Sequence, residues 1–181
     1  MMQRSMVLGI LSVLVASCTD DSEPNPPAQG GSAELTFAGI SGSNLDTNPL
    51  PPTDVGLVFR DPASQTRVIG VFAYELQLDG FKRKSWQLAL SISGDPVAGA
   101  TYTIATPSSG SATLEYDESP ASGGFRSWEA TGGSIAVESL SGSQATFSLS
   151  SIPMVVSTGG SGNGATGTFA LSGTITVDNI E

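Results

Sequence analysis

Apolar and polar residues alternate with a period of two along most of the chain after residue 32, and this pattern constrains the fold more than any other sequence feature. In residues 34–37, for example, Leu35 and Phe37 alternate with polar neighbours. Successive side chains of a β-strand point to opposite faces of a sheet, so this alternation is typical of strands with one buried face. No window after the leader has a helical period. The sequence therefore predicts an all-β domain.

The same pattern gives the other candidate strands. Val55, Leu57 and Phe59 are predicted to share one face of a strand. A longer strand over 68–78 is predicted to place its apolar residues on one face, namely Val68, Phe72, Tyr74, Leu76 and Leu78. The next strand repeats the rule with Trp86, Leu88, Leu90 and Ile92. Further candidates lie at 102–105, 112–116, 134–138, 145–149, 166–171 and 173–177, separated by glycine- and serine-rich turns.

About nine or ten short strands in roughly 150 residues are typical of a β-sandwich or a β-barrel. We expect residues 33–181 to form a single domain and favour an antiparallel sandwich. A closed up-and-down barrel of the lipocalin type stays open as the alternative, because both folds alternate inward and outward residues and both use short turns.

The first 17 residues have the organisation of a secretory signal peptide. Arg4 gives a basic start, residues 6–16 form an apolar run, and small residues lead to Cys18. Eleven helical residues span about 16 Å at ~1.5 Å per residue, well short of a hydrocarbon core of ~30 Å. We therefore expect a leader that is removed rather than a permanent membrane span.

The end of the leader, Val15-Ala16-Ser17-Cys18, resembles the lipobox of bacterial lipoproteins. The resemblance implies that the Cys18 thiol receives a diacylglyceryl group, that cleavage occurs just before it, and that acyl chains then hold the protein on a membrane. Two or more acyl chains anchor a protein stably. The alternative is an ordinary secretory signal that is cut near Ala16 and leaves Cys18 as a free thiol.

Residues 18–32 are predicted to be the lipidated cysteine followed by a flexible linker. The fourteen residues from Thr19 to Ser32 include no large apolar side chain and are rich in proline, glycine and acids. Such a linker reaches about 20 Å on average and at most ~50 Å. Its acidic start, residues 19–21, looks like the tract that sends some bacterial lipoproteins to the outer surface. The expected location is the bacterial cell envelope, on the outer membrane.

Several stretches of the β domain resemble uncharacterised β-rich lipoprotein domains of Gram-negative bacteria. They are residues 99–104, 112–116, 133–137 and 167–175, which share a rhythm of turns and strands. The resemblance implies a β domain at the cell envelope and carries no catalytic residues over to this chain.

Charge and composition exclude several function classes. The chain has 7 basic and 17 acidic residues, a formal net charge of −10, so we expect no nucleic-acid partner. It has no histidine, which excludes Ser-His-Asp catalysis and histidine-ligated metals. Glycine-rich residues 159–164 lack the Lys-Ser/Thr ending of a phosphate-binding loop, and no calcium-binding loop pattern occurs. No cofactor, metal site or catalytic residue is predicted.

Carboxylates leave one catalytic route open, because a glycoside hydrolase needs only two acids. Glu115, Asp117, Glu118 and Glu129 are near one another in sequence. Seventeen acids offer chance pairs, so a carboxylate-only glycoside hydrolase is a distant alternative and we expect no enzyme activity.

The candidate binding residues are basic and aromatic. Lys82, Arg83 and Lys84 form the one basic cluster, at a predicted hairpin tip after Asp79-Gly80, and either meet an anionic partner or only block edge pairing. Trp86 and Trp128 either stack on a sugar or peptide or fill the core, and the core is favoured for both. The leading hypothesis is a non-enzymatic envelope lipoprotein that binds a protein or a glycan. The alternative is a structural or assembly component of an envelope complex.

Overall fold

The computed structural model describes residues 30–63, 65–76, 83–104, 112–159 and 162–180. Within these residues the chain forms ten β-strands and no helix, so none is present that could span a bilayer. The strands are β1 (Gly31–Ser41), β2 (Asp54–Arg60), β3 (Thr66–Leu76), β4 (Arg83–Ser93), β5 (Thr101–Thr103), β6 (Ala112–Ser119), β7 (Arg126–Ala130), β8 (Ser134–Ser141), β9 (Gln144–Val156) and β10 (Thr168–Val177). The all-β prediction is confirmed.

The ten strands belong to one antiparallel sheet that curls into a half-barrel. The main path runs β1-β10-β9-β7-β6-β4-β3-β2, so β1 and β2 are its two edges. The long strand β9 pairs with β8 along its first half and with β7 along its last residues, and β8 in turn pairs with β5. The sheet is continuous, which places its shape between the sandwich and the closed barrel considered above.

The inner face of the curl carries the hydrophobic core. Trp86, Leu88, Leu90 and Ile92 are all buried there, as the alternation in β4 predicts. Aromatic rings meet at the centre of the core around Tyr116, whose ring centroid lies 5.3 Å from that of Phe37, 5.7 Å from Trp86, 6.0 Å from Phe169 and 6.1 Å from Trp128. Contacts between β1, β4, β6, β7 and β10 therefore hold the curl together.

Strand β3 has the opposite facing from the one predicted. Ile69, Val71 and Ala73 are buried against the core, whereas Tyr74 is 54% exposed. The register explains this, because Val71 pairs with Leu88, whose side chain faces inward. Val68, Phe72 and Tyr74 share one face, as predicted, but this face points away from the core, and Val68 and Phe72 are only half-buried on it. The side chain of Leu76 and the whole of Leu78 lie outside the described residues.

A bulge in β2 corrects a second facing prediction. Val55 is buried and Leu57 is half-buried, but Phe59 is 39% exposed. The pairing with β3 shifts between Leu57 and Phe59, so Leu57 pairs with the inward Ile69 and Phe59 with the outward Val68. With an extra residue in one strand, the side chains that follow it point to the opposite face of the sheet from the one that simple alternation predicts.

The candidate strands 166–171 and 173–177 form a single strand, β10. Its pairing with β9 shifts between Leu171 and Gly173, and Gly173 has a φ of 145°. A side chain at Gly173 would overlap the carbonyl oxygen of Glu34 on β1, so glycine is required where these two backbones approach. Candidate strand 102–105 corresponds to β5, and Ala105 lies outside the described residues.

Candidate binding sites

One end of the half-barrel is covered by the capping loop, residues 43–50 of the connection between β1 and β2. Leu45 is buried in the core, and the indole Nε1 of Trp86 donates a hydrogen bond to the carbonyl oxygen of Leu50 at 2.8 Å. The loop therefore shares its packing with β4, which is distant from it in sequence.

A buried carboxylate anchors the capping loop to β6. Glu118 is 4% exposed, and its Oε1 accepts hydrogen bonds from the backbone N–H of Asp46 at 3.1 Å and from the hydroxyl of Tyr116 at 3.1 Å. The guanidinium Nη1 of Arg126 lies 3.5 Å from Oε2. Burial raises the pKa of Glu118, while these two hydrogen bonds and Arg126 act to lower it. Burial also raises the pKa of Tyr116, and the charge of Glu118 raises it further, so the hydroxyl remains a donor.

Basic side chains tie the same loop from two further strands. The Nζ of Lys84 lies 2.5 Å from Oδ2 of Asp46, and it donates to the carbonyl oxygen of Asn48 at 3.3 Å. The Nη1 of Arg126 donates to the carbonyl oxygen of Asn44 at 2.5 Å. The cavity beside Trp86 at this end is about 10 Å³, room for no more than one water molecule. The capped end is therefore filled by the chain's own residues.

The predicted binding residues divide between the core, the capped end and the undescribed part of the chain. Trp86 and Trp128 are buried in the core, as their favoured interpretation states. Lys84 lies on β4 beside Trp86 and is paired with Asp46. Arg83 is the first residue of β4, but its side chain lies outside the described residues. Lys82 and Cys18 also lie outside them. Because Lys84 is paired and both tryptophans are buried, Lys84, Trp86 and Trp128 do not form one exposed surface.

The four carboxylates near residue 118 lie on two faces of the sheet. Glu118 faces inward, whereas Glu115, Asp117 and Glu129 lie on the outer face, with Glu115 directly opposite Glu129 in the pairing of β6 with β7. Burial raises the pKa of Glu115, and the charges of Asp117 and Glu129 raise it further. Gln87 donates to Oδ2 of Asp117 at 2.8 Å. Among the residues that the structure describes, no three such side chains are placed to hold a metal ion.

The second cleft is an open seam between the two edge strands. It measures about 180 Å³ and is lined by residues 31–33 of β1 and by residues 52–55 leading into β2. A Cβ atom at Gly31 would lie 3.1 Å from the side chain of Val55, so the strands approach each other at their first residues. No backbone hydrogen bond joins β1 to β2 within the described ranges.

Asp54 lines this seam, and two further acidic residues, Glu34 and Asp178, lie next to its lining residues. Glu34 and Asp54 are exposed on the two edge strands, and the carboxylate of Asp178 lies beside Gly30, whose carbonyl oxygen accepts from the Asp178 backbone N–H at 2.7 Å. The seam is not predicted by the strand pattern of the sequence, although Pro51 and Pro52 are one signal of it. Proline cannot donate to a sheet ladder and is typical of an edge strand or the start of a strand.

Comparisons of the chain with protein-family models, with curated proteins and with solved structures found no match. The class of protein is thus defined by the structure alone: an antiparallel half-barrel domain with one end capped by its own loop and an acidic seam between its edges.

Proposed function

We propose that this chain is a bacterial envelope lipoprotein whose half-barrel is a non-enzymatic binding domain for a protein or a glycan, held on the outer membrane by acyl chains on Cys18. The observation that carries the proposal is the lipobox-like Val15-Ala16-Ser17-Cys18 directly after the apolar run 6–16. Cys18 is also the chain's one cysteine, which an exported protein would otherwise leave as an unpaired thiol.

The position of the first strand supports an anchored binding domain. β1 begins at Gly31 on the border of the open seam, so residues 31 and 32 of the predicted linker belong to the sheet. With a linker of at most ~50 Å, the seam would lie near the membrane surface. A partner in the same membrane could then meet the domain at high effective concentration.

The filled interior favours binding at the outer surface or at an edge. Tyr116, Trp128 and Phe147 are fully buried, and the capping loop covers one end of the half-barrel. A small-molecule carrier of the lipocalin type needs an internal cavity instead. The geometry is therefore better suited to a macromolecular partner.

Acylation of Cys18 is the direct test of the anchor. We expect the full chain, expressed in a Gram-negative host with an alkyne-bearing palmitate analogue, to become labelled, and mass spectrometry to find a mature chain beginning with diacylated Cys18. Cys18→Ser should abolish labelling, whereas the matched variant Ser17→Ala, which keeps a small residue before the cysteine, should retain it. An unlabelled wild-type chain, or a mature chain that begins at another residue, would refute the anchor.

Binding is tested separately in membranes. Full-length protein solubilised from the envelope should retain a partner above an acidic control protein of matched charge, and the partner should dissociate reversibly on dilution. Isolation in a fixed-stoichiometry complex that survives dilution would favour a structural component instead. Recovery of no partner would contradict the binding function.

A further inference from the structure

The two edges of the half-barrel offer unused backbone hydrogen-bonding groups at the same place. An edge strand has one neighbour, so alternate N–H and C=O groups along it point away from the sheet. β1 pairs with β10 and β2 pairs with β3, and within the described residues neither is paired on its other side. Such an edge is the site at which an extended segment of another protein adds as a strand.

The regular edge is β1 rather than β2. From Gly31 to Ala38, β1 keeps an unbroken register with β10, and its first irregularity follows Ala38. The register of β2 shifts already between Leu57 and Phe59, and Pro51 and Pro52 precede that strand. Bulges and prolines are features that protect an edge from pairing. The unprotected stretch therefore lies on β1, beside the cleft.

Charge selects among the occupants of the seam. Glu34 lies on the exposed face of β1, and Asp54 lies across the cleft at the start of β2. A second copy would bring the same acidic edge and a chain with a net charge of −10. The chain's own linker brings further acids at Asp20, Asp21 and Glu23, and prolines that cannot donate. A basic segment of a different protein complements the site.

We infer that β1 residues 31–38 accept an extended basic peptide segment of a protein partner as an added antiparallel strand, with cationic side chains facing Glu34 and Asp54. This inference rests on the proposed binding function and assigns it a site. Half-buried Leu35 and Phe37 alternate with Glu34 along β1, so the partner segment should alternate apolar and basic residues. The segment would extend the half-barrel at its open edge.

The test uses the purified full chain in detergent and a fluorescent decapeptide of alternating valine and lysine. We expect the peptide to bind, and hydrogen exchange to slow in β1. A peptide with glutamate in place of lysine should not bind, and a lysine peptide with prolines in place of two central valines should not slow exchange. Protection of another strand, or equal binding of all three peptides, would overturn the inference.

Charge-reversal variants locate the site. Glu34→Lys/Asp54→Lys should weaken the lysine peptide about tenfold or more, because two favourable pairs become repulsive. Glu75→Lys, which reverses an exposed charge on β3, should change its affinity less than about twofold when compared at physiological salt. Equal losses in both variants would show general attraction between opposite charges and would overturn the inference.

Two further results keep the conclusions separate. We expect the chain to sediment as a monomer, and a dimer that excludes the peptide would assign the seam to self-association instead. Failure of peptide binding in a protein that is acylated at Cys18 and retains an envelope partner would remove the seam proposal alone, leaving the proposed function in place.

Discussion

Replacing Glu115 by glutamine should stabilise the protein at neutral pH. The Glu115 carboxylate lies directly opposite Glu129 in the pairing of β6 with β7, and Asp117 is its neighbour on the same outer face. Glutamine keeps the size and polarity of the side chain but removes the charge. It therefore relieves both repulsions and the cost of holding a half-buried charge.

The expected gain follows from these contacts. Like charges directly opposite each other in a sheet cost about 0.2–1 kcal/mol. With Asp117 adding a smaller repulsion, we expect Glu115→Gln to raise the free energy of unfolding by about 1 kcal/mol. Urea denaturation followed by tryptophan fluorescence measures this, because Trp86 and Trp128 are buried in the folded state.

The raised pKa of Glu115 also predicts how the gain in stability depends on pH. The pKa of Glu115 is raised in the folded state, so above its ordinary value of 4.5 the folded chain binds this proton more tightly than the unfolded chain does. The stability that protonated Glu115 contributes to the folded wild-type protein is therefore lost as the pH rises through its folded-state pKa. The gain of Glu115→Gln should be larger near pH 8 than near pH 5.

The matched control is Glu34→Gln, which neutralises an exposed carboxylate on β1 opposite the uncharged Thr174 and should change stability by less than about 0.5 kcal/mol. Destabilisation by Glu115→Gln near pH 8, or a gain of the same size near pH 5, would refute the argument that burial and like charges strain this carboxylate.

Three other substitutions test the capped end, the close approach of β10 to β1 at Gly173, and the core, all by the same urea assay. Glu118→Ala should lower the free energy of unfolding by about 3 kcal/mol, because it leaves the Asp46 N–H and the Tyr116 hydroxyl without their acceptor. Glu118→Gln should cost less than about half as much. Equal costs would contradict the role of the hydrogen bonds. Gly173→Ala should cost at least about 3 kcal/mol, because its Cβ would overlap the Glu34 carbonyl oxygen. The control Gly42→Ala should cost about 1 kcal/mol, because Gly42 also has a positive φ, of 60°, but has open space around it. Similar costs would show that only the backbone angle φ matters. Phe147→Ala should cost about 3–5 kcal/mol from its fully buried position, and a loss below about 1 kcal/mol would mean that the core there is not packed as described.

Local alternation predicted the fold class and most of the strands. It succeeds in β4, where Trp86, Leu88, Leu90 and Ile92 alternate with polar or small neighbours and one face alone can be buried. It fails in β3, where apolar side chains occupy both faces. There the outer Phe72 lies against Gly70, and a Cβ at Gly70 would overlap the Phe72 ring, so an apolar residue on the outer face also finds packing.

Long-range contacts were beyond the sequence pattern. The bond between Glu118 and the Asp46 N–H joins residues 72 positions apart, and nothing local marks Glu118 as more buried than Asp117. The facing of Glu118 follows from its register opposite Trp86 on β4. The seam likewise depends on how far the sheet curls, a property of all the strands together. The candidate sites were therefore less predictable than the elements that form them.

The location of Gly31 also has a mechanical consequence. If the anchor is as proposed, any drag on the domain enters through the first residue of β1 and loads the ladder to β10 from one end, beginning with Gly31 opposite Val177. Bonds loaded in this way separate one after another rather than all at once. A partner strand bound along β1 would share that load. The domain with a bound partner should therefore resist unfolding by a force applied through its membrane anchor better than the domain alone.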